Sequence, residues 1–141
     1  MPHHPQPRPP AGATPSGPSW ATAVGLGLFA LVRPLARITG VADSLPLAAL
    51  VLTLFVTAVW VLVVGLSHGP RPVLTLTLAG LVYAVATIPL SAVLSTLIDG
   101  EMAGPLANPA AIVPLLAINA GWGALAGVLA AGVRRIRGEP S

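Results

Sequence analysis

The sequence predicts an all-α protein: a polytopic bundle of four transmembrane helices behind a disordered, proline-rich N-terminal tail. Three observations carry this. Of 141 residues, 55% are hydrophobic and only 8% charged, against about a quarter charged in an ordinary soluble domain. Residues 44–67, 72–98 and 102–133 hold no charged side chain at all. At about 1.5 Å per residue, roughly 20 helical residues cross a hydrocarbon core about 30 Å thick, so each run is long enough to span it.

The tail comes first. Residues 1–19 contain seven prolines, with His3, His4 and Arg8 as their only ionisable side chains. Such a segment buries too little apolar surface to offset its ordering entropy. Two adjacent histidines on a floppy tail also lack the fixed geometry a metal site needs.

The first span is placed at residues 20–39. Its apolar run, 21–32, is short and is followed by Arg33, Pro34 and Arg37, which leaves a signal-like or re-entrant segment as the alternative. No Ala-x-Ala cleavage site follows it. Four residues apart, the two arginines share a helix face, and they are expected to snorkel to the outer headgroups.

The second span, 45–66, has Ser44 as N-cap and Pro46 in its first turn, where a missing N–H costs nothing. Residues 67–72 read as a turn. The third span, 73–98, carries Pro89 in its outer half, a kink that membrane helices tolerate. Asp99-Gly100-Glu101 ends it. Asn108-Pro109 starts the fourth span, 109–133, and Arg134, Arg135 and Arg137 close the 20–137 membrane domain as a stop and topology signal, leaving 138–141 as a C-terminal tail.

Orientation follows the arginine count of short loops. Arg8, Arg71 and the C-terminal cluster fall on one side of a four-span model, so both termini are expected in the cytoplasm. Trp20 and Trp60 then lie near the cytoplasmic ends of their helices, as belt residues.

Three sets of residues are candidates for function. Thr53, Thr57, Tyr83, Thr87, Asn119 and Trp122 form a polar layer at mid-membrane depth, read as interhelical hydrogen bonds or as the lining of a hydrated path. Gly80, Ala84 and Ser91 on the third span, with Gly123 and Gly127 on the fourth, recur at three- and four-residue intervals and predict close packing of these two helices. Arg33, Arg37, Asp43, Asp99 and Glu101 share the predicted outer face as candidate ion pairs.

Composition also excludes. With no cysteine there is no disulfide, thiolate nucleophile or sulfur-based zinc site. The calculated pI near 11.2 reflects a net charge of only +3, without the basic, aromatic-interleaved face that tracks phosphates, so no nucleic-acid partner is expected. No convergent acid, base, nucleophile or metal set is present, so neither an enzyme nor a cofactor is expected. All seven basic residues are arginine in a chain rich in Ala, Gly and Pro, which suggests a GC-rich genome and a bacterial inner (plasma) membrane.

Arg33-Pro34-Leu35, the 70–76 entry to the third span, the 104–109 segment and Asn119-Ala120-Gly121-Trp122-Gly123-Ala124 together resemble a group of uncharacterised small actinobacterial four-helix membrane proteins. The resemblance covers nearly everything after Trp20. It implies the architecture and no residue roles. Small multidrug exporters, which need an embedded glutamate in the first helix, and fluoride channels are poor matches. The expected function is a structural or accessory component acting in the lipid bilayer through helix contacts with itself or a larger membrane complex. The alternative is an oligomeric minimal channel or small-solute transporter.

Overall fold

A computed structural model of the chain describes residues 17–40 and 47–138. Within them the protein is helical without strands: α1 (Trp20–Phe29), α2 (Val32–Ile38), α3 (Ala48–Leu66), α4 (Pro72–Asp99), a single 3-10 turn (Pro109–Ala111) and α5 (Ile112–Ile136). Four units are long and apolar enough to cross a membrane: Trp20–Ile38, Ala48–Leu66, Pro72–Asp99 and Pro109–Ile136. The tail residues His3, His4 and Arg8, the loop residue Asp43, and the expected cap Ser44 with Pro46 lie outside the described residues.

The first span is broken rather than continuous. Pro34 has no N–H to give Ala30, and its ring crowds that carbonyl. The Arg33 N–H takes the Ala30 carbonyl instead at 3.1 Å, in a tightened three-residue turn, and the chain re-enters a helix as α2. α4 is entered through Arg71, whose φ of 53° turns the chain sharply, and ends at Gly100 with φ 72°. That left-handed C-cap is strained for any residue with a Cβ. α5 runs to Ile136, so Arg134 and Arg135 belong to the helix.

α4 is the central element. It packs most extensively on α5 and next on α1, while α3 leans on α5 and meets α4 little. The α4–α5 crossing is close enough that a Cβ on Gly80 would enter the Asn119 carbonyl, one on Gly123 the Leu76 carbonyl, and one on Gly127 the Val73 backbone. Gly27 does the same for α1, where a Cβ would stand 2.7 Å from the Ala79 oxygen. Small residues here let backbones touch, which is how helices bind each other where no hydrophobic effect separates lipid from side chain. Ala84 is fully buried in the same interior. The core is built from Leu26, Ala30, Val56, Trp60, Val64, Leu76, Ala79, Ala126 and Ala130.

Trp60 departs from the belt position expected of it. Only 4% exposed, it belongs to the inward face of α3 with Val56 and Val64. Its indole N–H donates to the Leu26 carbonyl at 3.0 Å, tying α3 to α1. Trp20, by contrast, is exposed.

Arg134 is also interior, at 4% exposure. Its Nε and Nη2 donate to the Val64 carbonyl at 3.1 and 2.7 Å, Nη1 donates to the Gly69 carbonyl, and Nη2 also reaches Ser67 Oγ at 3.3 Å. A helix C-terminus leaves its last carbonyls unpaired and carries partial negative charge. Arg134 answers both needs at the end of α3. It occupies the buried face of α5 set by Gly123, Ala126, Gly127 and Ala130.

Candidate functional site

The two ends of the bundle differ. At one end Ser19 N–H donates to Thr75 Oγ1 at 3.3 Å beside the 67–71 turn and Arg134. At the other, a half-open cavity of about 870 Å³ lies between α2, α3 and α4. Its polar wall is a ladder on α4: Tyr83, Thr87, Ser91, Ser95 and Asp99, spaced every fourth residue so that each neighbours the next. α2 supplies Arg33 and Arg37, and Leu52, Leu90, Leu94 and Ile98 are among its apolar walls.

Depth follows from helix rise. Tyr83 stands roughly 16 Å and Asp99 roughly 40 Å from the Pro72 end of α4 at about 1.5 Å per residue. With the hydrocarbon edge set at Pro72, a core about 30 Å thick would put Tyr83 near its middle and Asp99 at or beyond the headgroups. The cavity thus runs from the mouth at Asp99 to a floor at Tyr83.

Arg33 lies on that floor. Its guanidinium carbon is 5.8 Å from the centroid of the Tyr83 ring, a cation–π distance. The outward snorkel expected from the sequence is not what this arginine does. Side chains lean toward their own helix N-terminus, and for α2 that direction points back into the bundle. Arg33 is half-buried, whereas Arg37, one turn farther on, is exposed. Among the described residues, neither is ion-paired with Asp99 or Glu101. Glu101 is exposed beyond the mouth.

The hydroxyls of the ladder are held by their own helix. Thr87 Oγ1 donates to the Tyr83 carbonyl at 2.8 Å and Ser91 Oγ to the Ile88 carbonyl at 2.9 Å. Ser95 Oγ accepts the Ala103 N–H at 2.9 Å, so the loop after α4 folds back over the mouth. There Gly104, with φ 89°, sits so close that a Cβ would be 2.7 Å from Ser91 Oγ. Ser91, a packing candidate by sequence, thus packs against this loop.

The mid-membrane set divides. Tyr83 and Thr87 line the cavity. Trp122 Nε1 donates to Thr57 Oγ1 at 3.0 Å, joining α5 to α3. Thr53 and Thr57 donate to the Ala49 and Thr53 carbonyls, and Asn119 Nδ2 to the Leu115 carbonyl, each at 2.8 Å. No buried side-chain nitrogen or oxygen among the described residues lacks a partner.

The class these features define is a four-helix membrane protein with a polar, arginine-floored cavity. Comparison of the chain with family models, curated proteins and solved structures gives no match.

Proposed function

We propose that the chain is a non-catalytic accessory protein of a bacterial plasma membrane, with both termini in the cytoplasm, which acts through helix contacts with itself or a larger membrane complex. The single observation that carries this reading is that the cavity lining stops partway along the bundle. Its lining ends at Tyr83 on α4 and at Leu52 on α3. Beyond that level the interior consists of close-packed small residues and hydrogen bonds satisfied within the chain. The outward faces of α3 and α5, carrying Leu50, Leu54, Phe55, Leu125, Val128 and Leu129, are apolar and exposed, as a surface for lipid or a membrane partner requires. The cytoplasmic assignment is supported by Arg71, Arg134, Arg135 and Arg137 at one end of the bundle. The resemblance to small actinobacterial membrane proteins fits the same reading.

Purification in mild detergent with mass measurement tests it. A reproducible large membrane partner is the expected result. The second reading, a minimal channel or transporter, is favoured by the cavity reaching the midplane with a cation at its floor. A symmetric homo-oligomer that carries solute flux in liposomes selects it and overturns the accessory role.

A further inference from the structure

We infer that the cavity is a binding site for an amphiphile with a single oxyanion, a carboxylate or phosphate, whose charged oxygens pair with Arg33. The inference is independent of both readings above.

A guanidinium is expensive at the level of the bilayer centre, and intramembrane cations are nearly always paired or functional. Arg33 has the face of Tyr83 beneath it, but a ring face accepts no N–H fork. The acid on its own cavity wall, Asp99, stands sixteen residues along α4 from Tyr83, roughly 24 Å away. The floor therefore carries a positive charge whose donors meet no carboxylate among the described residues. A planar oxyanion matches that fork in geometry and sign.

The walls specify what carries the oxyanion. An inorganic anion fills little of about 870 Å³, a volume within the roughly 300–1,000 Å³ of pockets that enclose drug-sized ligands. Leu52, Leu90 and Leu94 line the same cavity as the hydroxyls of Thr87 and Ser91. An apolar body with one charged group satisfies both, and a neutral or cationic amphiphile does not. Arg37, nearer the mouth and exposed, attracts the same charge as it enters.

The experiment uses the full chain in phosphatidylcholine nanodiscs, with radiolabelled dodecyl phosphate as probe and dodecanol and inorganic phosphate as competitors. The expected result is saturable binding of one dodecyl phosphate per chain. Arg33→Gln should weaken it roughly tenfold or more, the loss expected for a hydrogen bond to a charged group, and Arg33→Lys should restore part of it. Leu52→Trp, which narrows the cavity with Arg33 intact, should weaken it as well, and helical circular dichroism checks that each variant is folded. Equal binding by wild type and Arg33→Gln overturns the proposal. So does displacement by dodecanol at the same concentration as dodecyl phosphate, which would remove the charge from recognition. Equally effective displacement by inorganic phosphate would remove the apolar body and overturn it too.

Discussion

Replacing Arg134 with leucine should destabilise the bundle far more than the same change at its neighbour Arg135. Arg134 donates to Val64, Gly69 and Ser67 from within the bundle, whereas Arg135 is exposed. At about 0.6 kcal/mol for each interhelical hydrogen bond in a membrane, the four bonds set a lower figure near 2 kcal/mol. Val64 keeps a second donor in Ser67 Oγ at 3.0 Å, but Gly69 loses its side-chain donor. A fully buried acceptor left unpaired costs about 1–3 kcal/mol; Gly69 is only partly buried, so its carbonyl adds about 1 kcal/mol and the expected loss is about 3 kcal/mol. Arg134→Lys should fall between, since an ammonium replaces a planar fork by a point charge. The assay is SDS-driven unfolding from mixed micelles, followed by helical circular dichroism. Equal midpoints for Arg134→Leu and Arg135→Leu would refute the capping role.

Other substitutions separate the same interior from the same surface. Gly80→Ala places a Cβ in the Asn119 carbonyl, and Gly123→Ala one in that of Leu76, so each should lose about 1–3 kcal/mol in the same unfolding assay. Gly121→Ala meets nothing within 4 Å and should range from no change to a gain of about 1 kcal/mol from helix propensity. Trp60→Phe keeps most of the ring but removes the donor to Leu26, for a loss near 1 kcal/mol; Trp60→Ala should lose about 3–5 kcal/mol because it also opens a cavity. A double-mutant cycle of Trp122→Phe with Thr57→Val should give a coupling near 0.6 kcal/mol, and additive effects would show that the bond contributes nothing.

The spans were legible because hydropathy depends on composition over twenty residues, which no single contact overrides. The α4–α5 crossing was legible too, since Gly80, Gly123 and Gly127 repeat at helical spacing and close approach needs small residues. Side-chain direction was not. Arg33 at the end of an apolar run looks like an interfacial anchor until the Cβ tilt of α2 points it at Tyr83. Arg134 looks like a topology signal beside Arg135 and Arg137, although its place seven residues after Gly127 already put it on the packed face. Trp60 reads as a belt residue by depth alone; its four-residue spacing from Val56 and Val64 was the available signal for the interior. The cavity itself arises from which helices pack only weakly, α3 and α4, and a hydropathy pattern does not encode that.

The central claim, four spans with alternating direction, is tested most directly by single-cysteine labelling. The native chain has no cysteine, so His68→Cys, Glu101→Cys and Arg137→Cys each report one exposed position. In intact cells a membrane-impermeant maleimide should label Glu101→Cys, while His68→Cys and Arg137→Cys should react only after permeabilisation. Labelling of positions 68 and 101 from the same side, or of 68 and 137 from opposite sides, would contradict the four-helix topology.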